Sequence, residues 1–222
     1  MNNLLKNVAK TASMITLAAL GMANCVVNAS VITIETGYST AGAQATGAAY
    51  KSVVDAAVAT ATKGYGTASL AQFDKVTNKA LFGASANIAT EYTVDFYVSA
   101  AKAGVFNFRV GPDFGFGGAV FLDNTQVALI TKDMWWSNSY ANNTQSFLFA
   151  SNLAEGQHIL EVYGLENCCD GSAQGQFKGP QATSFTTFGK TDGLTRAVPE
   201  PASIALLGLG FLGLAVSRKK RA

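Results

Sequence analysis

Between residues 87 and 188 apolar and polar side chains alternate in short runs broken by turn residues, and this period of two limits what the chain can become. Successive side chains of a strand point to opposite faces, so such a run buries one face and leaves the other to water. Ile88, Tyr92, Val94, Phe96 and Val98 line mainly one face, with Glu91, Thr93, Asp95 and Ser99 interleaved. Lys102-Ala103-Gly104 reads as a turn, after which residues 105–110 are expected to return as a hairpin partner. Residues 119–122 and 126–131 read as a second hairpin around Asp123-Asn124. Residues 146–150 and 158–164 read as a third pair, and 182–188 as the closing strand. Many short strands at roughly 8–12 residue spacing predict an antiparallel β-sandwich of the jelly-roll kind.

Upstream, residues 31–35 alternate and should form the first strand. Tyr50, Val53, Val54, Ala57, Val58 and Ala61 then follow helical spacing, predicting a helix over 43–61 that ends at Gly64-Tyr65-Gly66. A strand over 70–76 is expected next. The sandwich domain is therefore placed at 30–190, long enough to bury a proper core, with 191–197 as a tether. The whole chain has a formal charge of +2, yet residues 30–197 hold ten basic and thirteen acidic residues. That part is mildly acidic and lacks any basic run, so no nucleic-acid partner is expected.

The two ends read differently. Residues 1–29 have Lys6 and Lys10, an apolar segment over 14–23 and small residues at Val27 and Ala29, which predicts a signal peptide cut after Ala29. The Sec machinery and signal peptidase are the implied partners. Cys25 raises a lipoprotein alternative, which Asn24 beside it fits badly. At the other end come Val198-Pro199-Glu200-Pro201, an uncharged apolar run over 202–216, and Arg218-Lys219-Lys220-Arg221. Fifteen helical residues cover about 22 Å, short of the ~30 Å hydrocarbon core, so Ser217 and snorkelling basic side chains must help the run to span. The cationic end should stay cytoplasmic, leaving Pro-Glu-Pro on the far side of the membrane.

This order of signature, apolar helix and basic stop over 198–222 closely resembles the PEP-CTERM sorting signal of Gram-negative bacteria. The resemblance implies an inner-membrane intermediate and removal of the tail by exosortase, a membrane-embedded cysteine protease. It further implies delivery to the cell surface or matrix, and it links such proteins to exopolysaccharide and biofilm. Within the tail, Gly208, Gly210 and Gly213 match the dinucleotide fingerprint by spacing, but no strand precedes them and no acidic residue follows. They suit close helix approach instead.

Three features of the body remain. Cys168-Cys169-Asp170-Gly171 holds the two cysteines left after signal cleavage, and an exported protein meets oxidising conditions. A vicinal disulfide, a bridge to a second chain, and redox or metal chemistry are the competing readings. Cys-Cys-x-Gly also resembles the CCXG-type PEP-CTERM subgroup. Met134-Trp135-Trp136, followed by Ser137 to Asn143 with Tyr140, reads either as a sugar platform of indole faces and amides or as a cap on the core. Residues 106–111 and 119–123 resemble the strand-loop-strand unit of sandwich lectins of the protective-antigen type, without their adjacent calcium-binding aspartates. His158 is the body's single histidine and reads as structural. Hydrolase motifs are lacking, although Asp113, Asp123, Glu161, Glu166 and Asp170 are acids that a fold could bring together for glycosidase chemistry. No enzyme activity, cofactor or metal is expected.

Overall fold

The computed structural model describes residues 26–27, 30–60, 62–194 and 196–197. In chain order the body contains Val31–Tyr38 (β1), the helix Gly47–Val58 (α1), Thr67–Leu70 (β2), the single-turn helix Asn78–Leu81 (α2) and Ala86–Val98 (β3). Gly104–Gly111 (β4), Asp113–Phe114 (β5), Gly118–Leu122 (β6), Thr125–Ile130 (β7) and Met134–Trp135 (β8) follow. Phe147–Leu153 (β9), Gly156–Cys168 (β10), Gln174–Lys178 (β11) and Thr186–Thr187 (β12) complete it. Six strands pair in the order β2-β1-β3-β10-β6-β7, four in the order β9-β4-β11-β12, and β5 pairs with β8. Every pairing is antiparallel. The fold is the mainly β, antiparallel sandwich that the alternation predicts.

Aromatic rings fill the space between the sheets. Tyr92 and Phe96 from β3 meet Phe106 and Phe108 from β4, with Phe177 and Phe188 beside them, all buried. Phe73 stacks on Tyr92 at 4.5 Å, and Phe96 approaches Phe108 at 6.3 Å and Phe188 at 5.7 Å. Offset and tilted contacts of this kind add to the area buried. The six-stranded sheet is also covered on its other face. There Tyr50 and Val54 of α1 pack on Ala89, Ala119, Tyr163 and Leu165, a second apolar cluster.

Several local devices dock the helix. Thr46 caps it, its hydroxyl accepting from the Ala49 amide at 3.2 Å. The Tyr50 hydroxyl donates to the Phe116 carbonyl at 2.5 Å. Lys51 pairs with Glu161 at 3.2 Å and reaches the Tyr163 hydroxyl, which itself lies 2.9 Å from Glu91 and 2.7 Å from Glu161. Gly37 lets the helix come close, since a Cβ there would sit 2.3 Å from the Ala57 backbone.

Some sequence expectations change. The helix is shorter than 43–61, running from Gly47 to Val58. The strand expected at 70–76 is instead Thr67–Leu70, and Phe73 and Val76 enter the core from an irregular stretch with isolated bridges to the segments around Gly189 and Ala173. β3 and β4 are not a hairpin: the 3-10 turn Ala100–Lys102 carries the chain from one sheet to the other, where β4 pairs with β9 and β11. Likewise β9 and β10 lie in different sheets, joined across Ala154-Glu155. Alternation reports which face of a strand is buried, and facing sheets bury the same kind of face, so sheet membership is not encoded in it. The 119–131 hairpin stands, with Asp123 and Asn124 at φ 50° and 62°, the left-handed pair a two-residue hairpin turn requires. Of 182–188 only Thr186–Thr187 is strand, and β11 is an element that the alternation did not single out.

Two substitutions test the helix seat. Tyr50→Phe, which leaves the Phe116 carbonyl without its donor, should cost about 1 kcal/mol of stability. Gly37→Ala should cost about 1–3 kcal/mol through overpacking. Chemical denaturation midpoints report both, with Tyr38→Ala on the same strand as an exposed control.

Candidate functional site

The tryptophan segment is positioned by the short β5–β8 ladder, where Asp113 opposes Trp135 and Phe114 opposes Met134. Met134 is fully buried, Trp135 is 61% exposed and Trp136 only 4% exposed. Trp136 lies flat against the end of β4, where a Cβ on Gly111 would fall 2.4 Å from its ring. Its indole N–H donates to the Ser172 carbonyl at 2.5 Å. Trp136 therefore caps the core, and Trp135 alone of the two presents its ring to solvent. Ser137 and Asn138 take φ values of 50° and 57°, turning the chain back so that Ser139 N–H reaches the Trp136 carbonyl at 2.8 Å. Tyr140 then packs 5.0 Å from Trp136 and donates to the Gln174 carbonyl at 3.1 Å.

The cysteine loop meets this segment directly. β10 ends at Cys168, and Cys169 adopts φ 73°. The two Cα atoms are 3.7 Å apart and the sulfurs are at disulfide distance. Beyond them each residue is fixed by a polar contact. The Asp170 carboxylate accepts from the Asn78 and Lys79 amides of α2 at 3.2 and 2.6 Å. Gly171 N–H donates to Asp113 at 2.6 Å, and the Ser172 hydroxyl donates to Asn138 at 3.1 Å. Glu166 accepts from the Gly115 and Cys168 amides at 2.5 and 2.7 Å. Two features remote in sequence are thus one interlocked corner.

Burial, with the Glu166 charge next in size, pushes the Asp113 carboxyl up to about 6. Burial also raises Glu166 and Asp170, against the backbone amides that lower them. These three acids gather as the sequence allowed, but each carboxylate is engaged by main-chain N–H groups, which makes them clamps for the loops. Glu161 lies on the helix-covered face with Lys51, and Asp123 holds His158, whose ring nitrogens lie 2.7 Å from Asp123 and 3.0 Å from the Ala154 carbonyl. Among the described residues no cluster of His, Cys, Asp and Glu is arranged to hold a metal.

Tyr140 also closes one side of a groove of about 440 Å³ on the outer face of the four-stranded sheet. Asn107, Phe108, Arg109, Leu148, Phe149 and Phe185 complete its lining. The Arg109 guanidinium lies 4.2 Å from the Tyr140 ring centre and 4.0 Å from that of Phe185. Its Nε donates to Gln176 at 2.6 Å. Lys178 stands 5.3 Å from the Phe185 ring. Sequence reasoning missed this groove, because its cation comes from a core strand and its two rings from separate loops.

Val198, Pro199, Glu200, Pro201 and the basic Arg218, Lys219, Lys220 and Arg221 lie outside the described residues, as does the apolar run between them. Among the described residues no helix is long and apolar enough to cross a membrane.

Residues 197–220 match the PEP-CTERM protein-sorting motif, so the chain carries a PEP-CTERM sorting signal. The motif implies recognition by exosortase, export, and a membrane-anchored intermediate. No curated protein matches the sequence. Similar solved structures include the PA14 domain of the MpAFP antifreeze protein, 11% identical with TM-score 0.48, covering 77% of this chain and 92% of that one. The PA14 sugar-binding domain from an RTX adhesin is 13% identical with TM-score 0.48, covering 77% and 99%. The Epithelial Adhesin 9 A domain from Candida glabrata, in complex with Galb1-4GlcNAc, is 11% identical with TM-score 0.42, covering 78% and 90%. Likeness at this level concerns strand arrangement and says nothing of what this chain binds.

Two measurements address the corner. In the unfolded chain an aspartate loses its proton near ~3.9, so from there to about 6 the folded state retains a proton that the unfolded state has released. The stability this group contributes is full below the unfolded value and is lost as pH rises through about 6. The denaturation midpoint should therefore carry a falling component between about pH 4 and 6, and Asp113→Asn, which keeps an acceptor for Gly171, should reduce it. For the cysteines, alkylation of the unreduced exported protein should leave both unlabelled in a monomer. Reduction should expose two thiols with little change in midpoint, since the closed loop is minimal.

Proposed function

We propose that the protein is a non-enzymatic component of the cell surface or extracellular matrix, exported, processed by exosortase and associated with exopolysaccharide and biofilm. The sorting motif at residues 197–220 carries this reading. Signal peptidase and the Sec machinery act first, the inner membrane holds the intermediate, and exosortase then acts at Val198-Pro199-Glu200-Pro201. Engagement of the nearby acids by backbone amides supports a structural role for them and argues against glycosidase chemistry, which needs one carboxylic acid and one carboxylate directed at substrate.

The body's part in this scheme is to hold sugar. Trp135, exposed on a corner fixed by Ser172 and Asp113, favours that second reading, because a rigid exposed indole offers an apolar face at low entropic cost. Trp136 and Tyr140 support the corner from beneath.

Mass spectrometry of the protein exported from hosts with and without exosortase tests the first reading. The mature form should lack Arg218 to Arg221 only where the protease is present, and their retention in the competent host would overturn it. Sedimentation with the host exopolysaccharide tests the second. Trp135→Ala should release the protein while leaving its denaturation midpoint unchanged, and full retention would remove Trp135 from the contact.

A further inference from the structure

We propose that the groove on the outer face of the four-stranded sheet binds a carboxylate-bearing sugar of the uronate type, with Arg109 as its anchor. This deepens the carbohydrate reading given above and rests on it, but it places the decisive contact on different residues.

The state of Arg109 is the starting observation. It projects from β4, the strand flanked by β9 and β11, in register with Leu148 on one side and Gln176 on the other. Its guanidinium lies close to two aromatic rings, Tyr140 at 4.2 Å and Phe185 at 4.0 Å, which hold its plane in place. One edge is used, with Nε donating to Gln176 at 2.6 Å. Among the described residues no carboxylate pairs with Arg109, and neither Nη atom has a hydrogen-bond partner. A half-buried, oriented cation with both Nη atoms unoccupied is matched to a planar, two-oxygen anion, because the fork geometry then forms two parallel bonds.

The surroundings select the rest of the ligand. No acid lines the groove, and Lys178 adds a second positive charge beside Phe185. Asp74 is an acid whose field reaches Tyr140, and its carboxylate accepts from the Gln174 amide. The opposite wall is apolar: Leu148, level with Arg109 on the neighbouring strand, is 46% exposed. Asn107 supplies an amide for hydroxyls. An apolar floor, an amide and a fixed cation suit a pyranose whose C–H face lies on the wall while its carboxylate meets Arg109.

Isothermal titration of the exported protein with oligogalacturonate, its methyl ester and a neutral maltooligosaccharide of the same length tests the proposal. The acid should bind, the ester and the neutral glycan at least about tenfold more weakly, since each loses the charge-assisted pair. Arg109→Gln should reduce acid binding by a similar factor, and Arg109→Lys, which keeps charge but not the fork, should fail to restore it fully. Lys178→Gln guards against a folding artefact: its partial loss at an unchanged denaturation midpoint supports the site. Equal binding of acid and ester, or binding unaffected by Arg109→Gln, would overturn the proposal. If neutral glycan then binds and Trp135→Ala abolishes it, the groove is excluded while the carbohydrate reading stands. If no glycan binds, both fall. Equal competition by polyaspartate would overturn the sugar class by reducing the site to general anion attraction.

Discussion

Burial of the six-stranded sheet on both faces is the constraint that the remaining structure obeys. An antiparallel sheet is commonly dry on one side and wet on the other. Here β3 and β10 carry Tyr92, Phe96, Leu160 and Val162 toward the second sheet, and Ala89, Tyr163 and Leu165 toward α1. Small residues appear where the helix comes nearest, as at Gly37. The charged groups beneath the helix form a linked set, Lys51 with Glu161, Glu91 and Tyr163, which offsets the cost of their partial burial. The four-stranded sheet, by contrast, has one covered face. Its outer side is where a cation and a row of apolar side chains can remain accessible.

Much of this was legible in the residues. Alternation in β3, the turn at Asp123-Asn124 and the helical spacing of Tyr50, Val54 and Ala57 each report a local geometric need, and local needs are what a sequence states openly. Beyond the Asp123-Asn124 hairpin, partnership between strands was not legible. β4 follows β3 and β10 follows β9 across short links that look like hairpins, yet both links pass between sheets, because the apolar faces of two opposed sheets carry the same pattern. The candidate site divides along the same line. Trp135 and Trp136 are adjacent and chemically alike, and only the ladder at Met134–Trp135 decides that one is outside and the other inside. Arg109 offered no signal at all, since its setting is made by Tyr140 and Phe185, far along the chain.

The corner built by the two loops shows how a small region without regular structure is kept in place. Cys169 holds a backbone conformation unfavourable for a side chain with a Cβ, and the residues after it are each anchored to a different part of the body: α2, β5 and the turn after Trp136. The raised Asp113 and its neighbours accept backbone donors that would otherwise be left buried. Rigidity at this corner serves Trp135 above it and Tyr140 beside it, so the groove inherits a wall that does not need to reorganise when something enters.

The pairing order also bears on how such a chain reaches its final state outside the cytoplasm. β1 lies against β3 through Val31 and Asp95, and β3 lies against β10 through Ile88 and Glu166, so the central strands await partners far downstream. Contacts of such long reach are slow to form and give little reward until both segments are present. Residues up to 98 already supply the three-stranded ladder β2-β1-β3 and the helix α1, whereas the other edge of β3 stays open until β10 is present. Until then that edge could accept a foreign strand, and its late closure by β10 is what hides it.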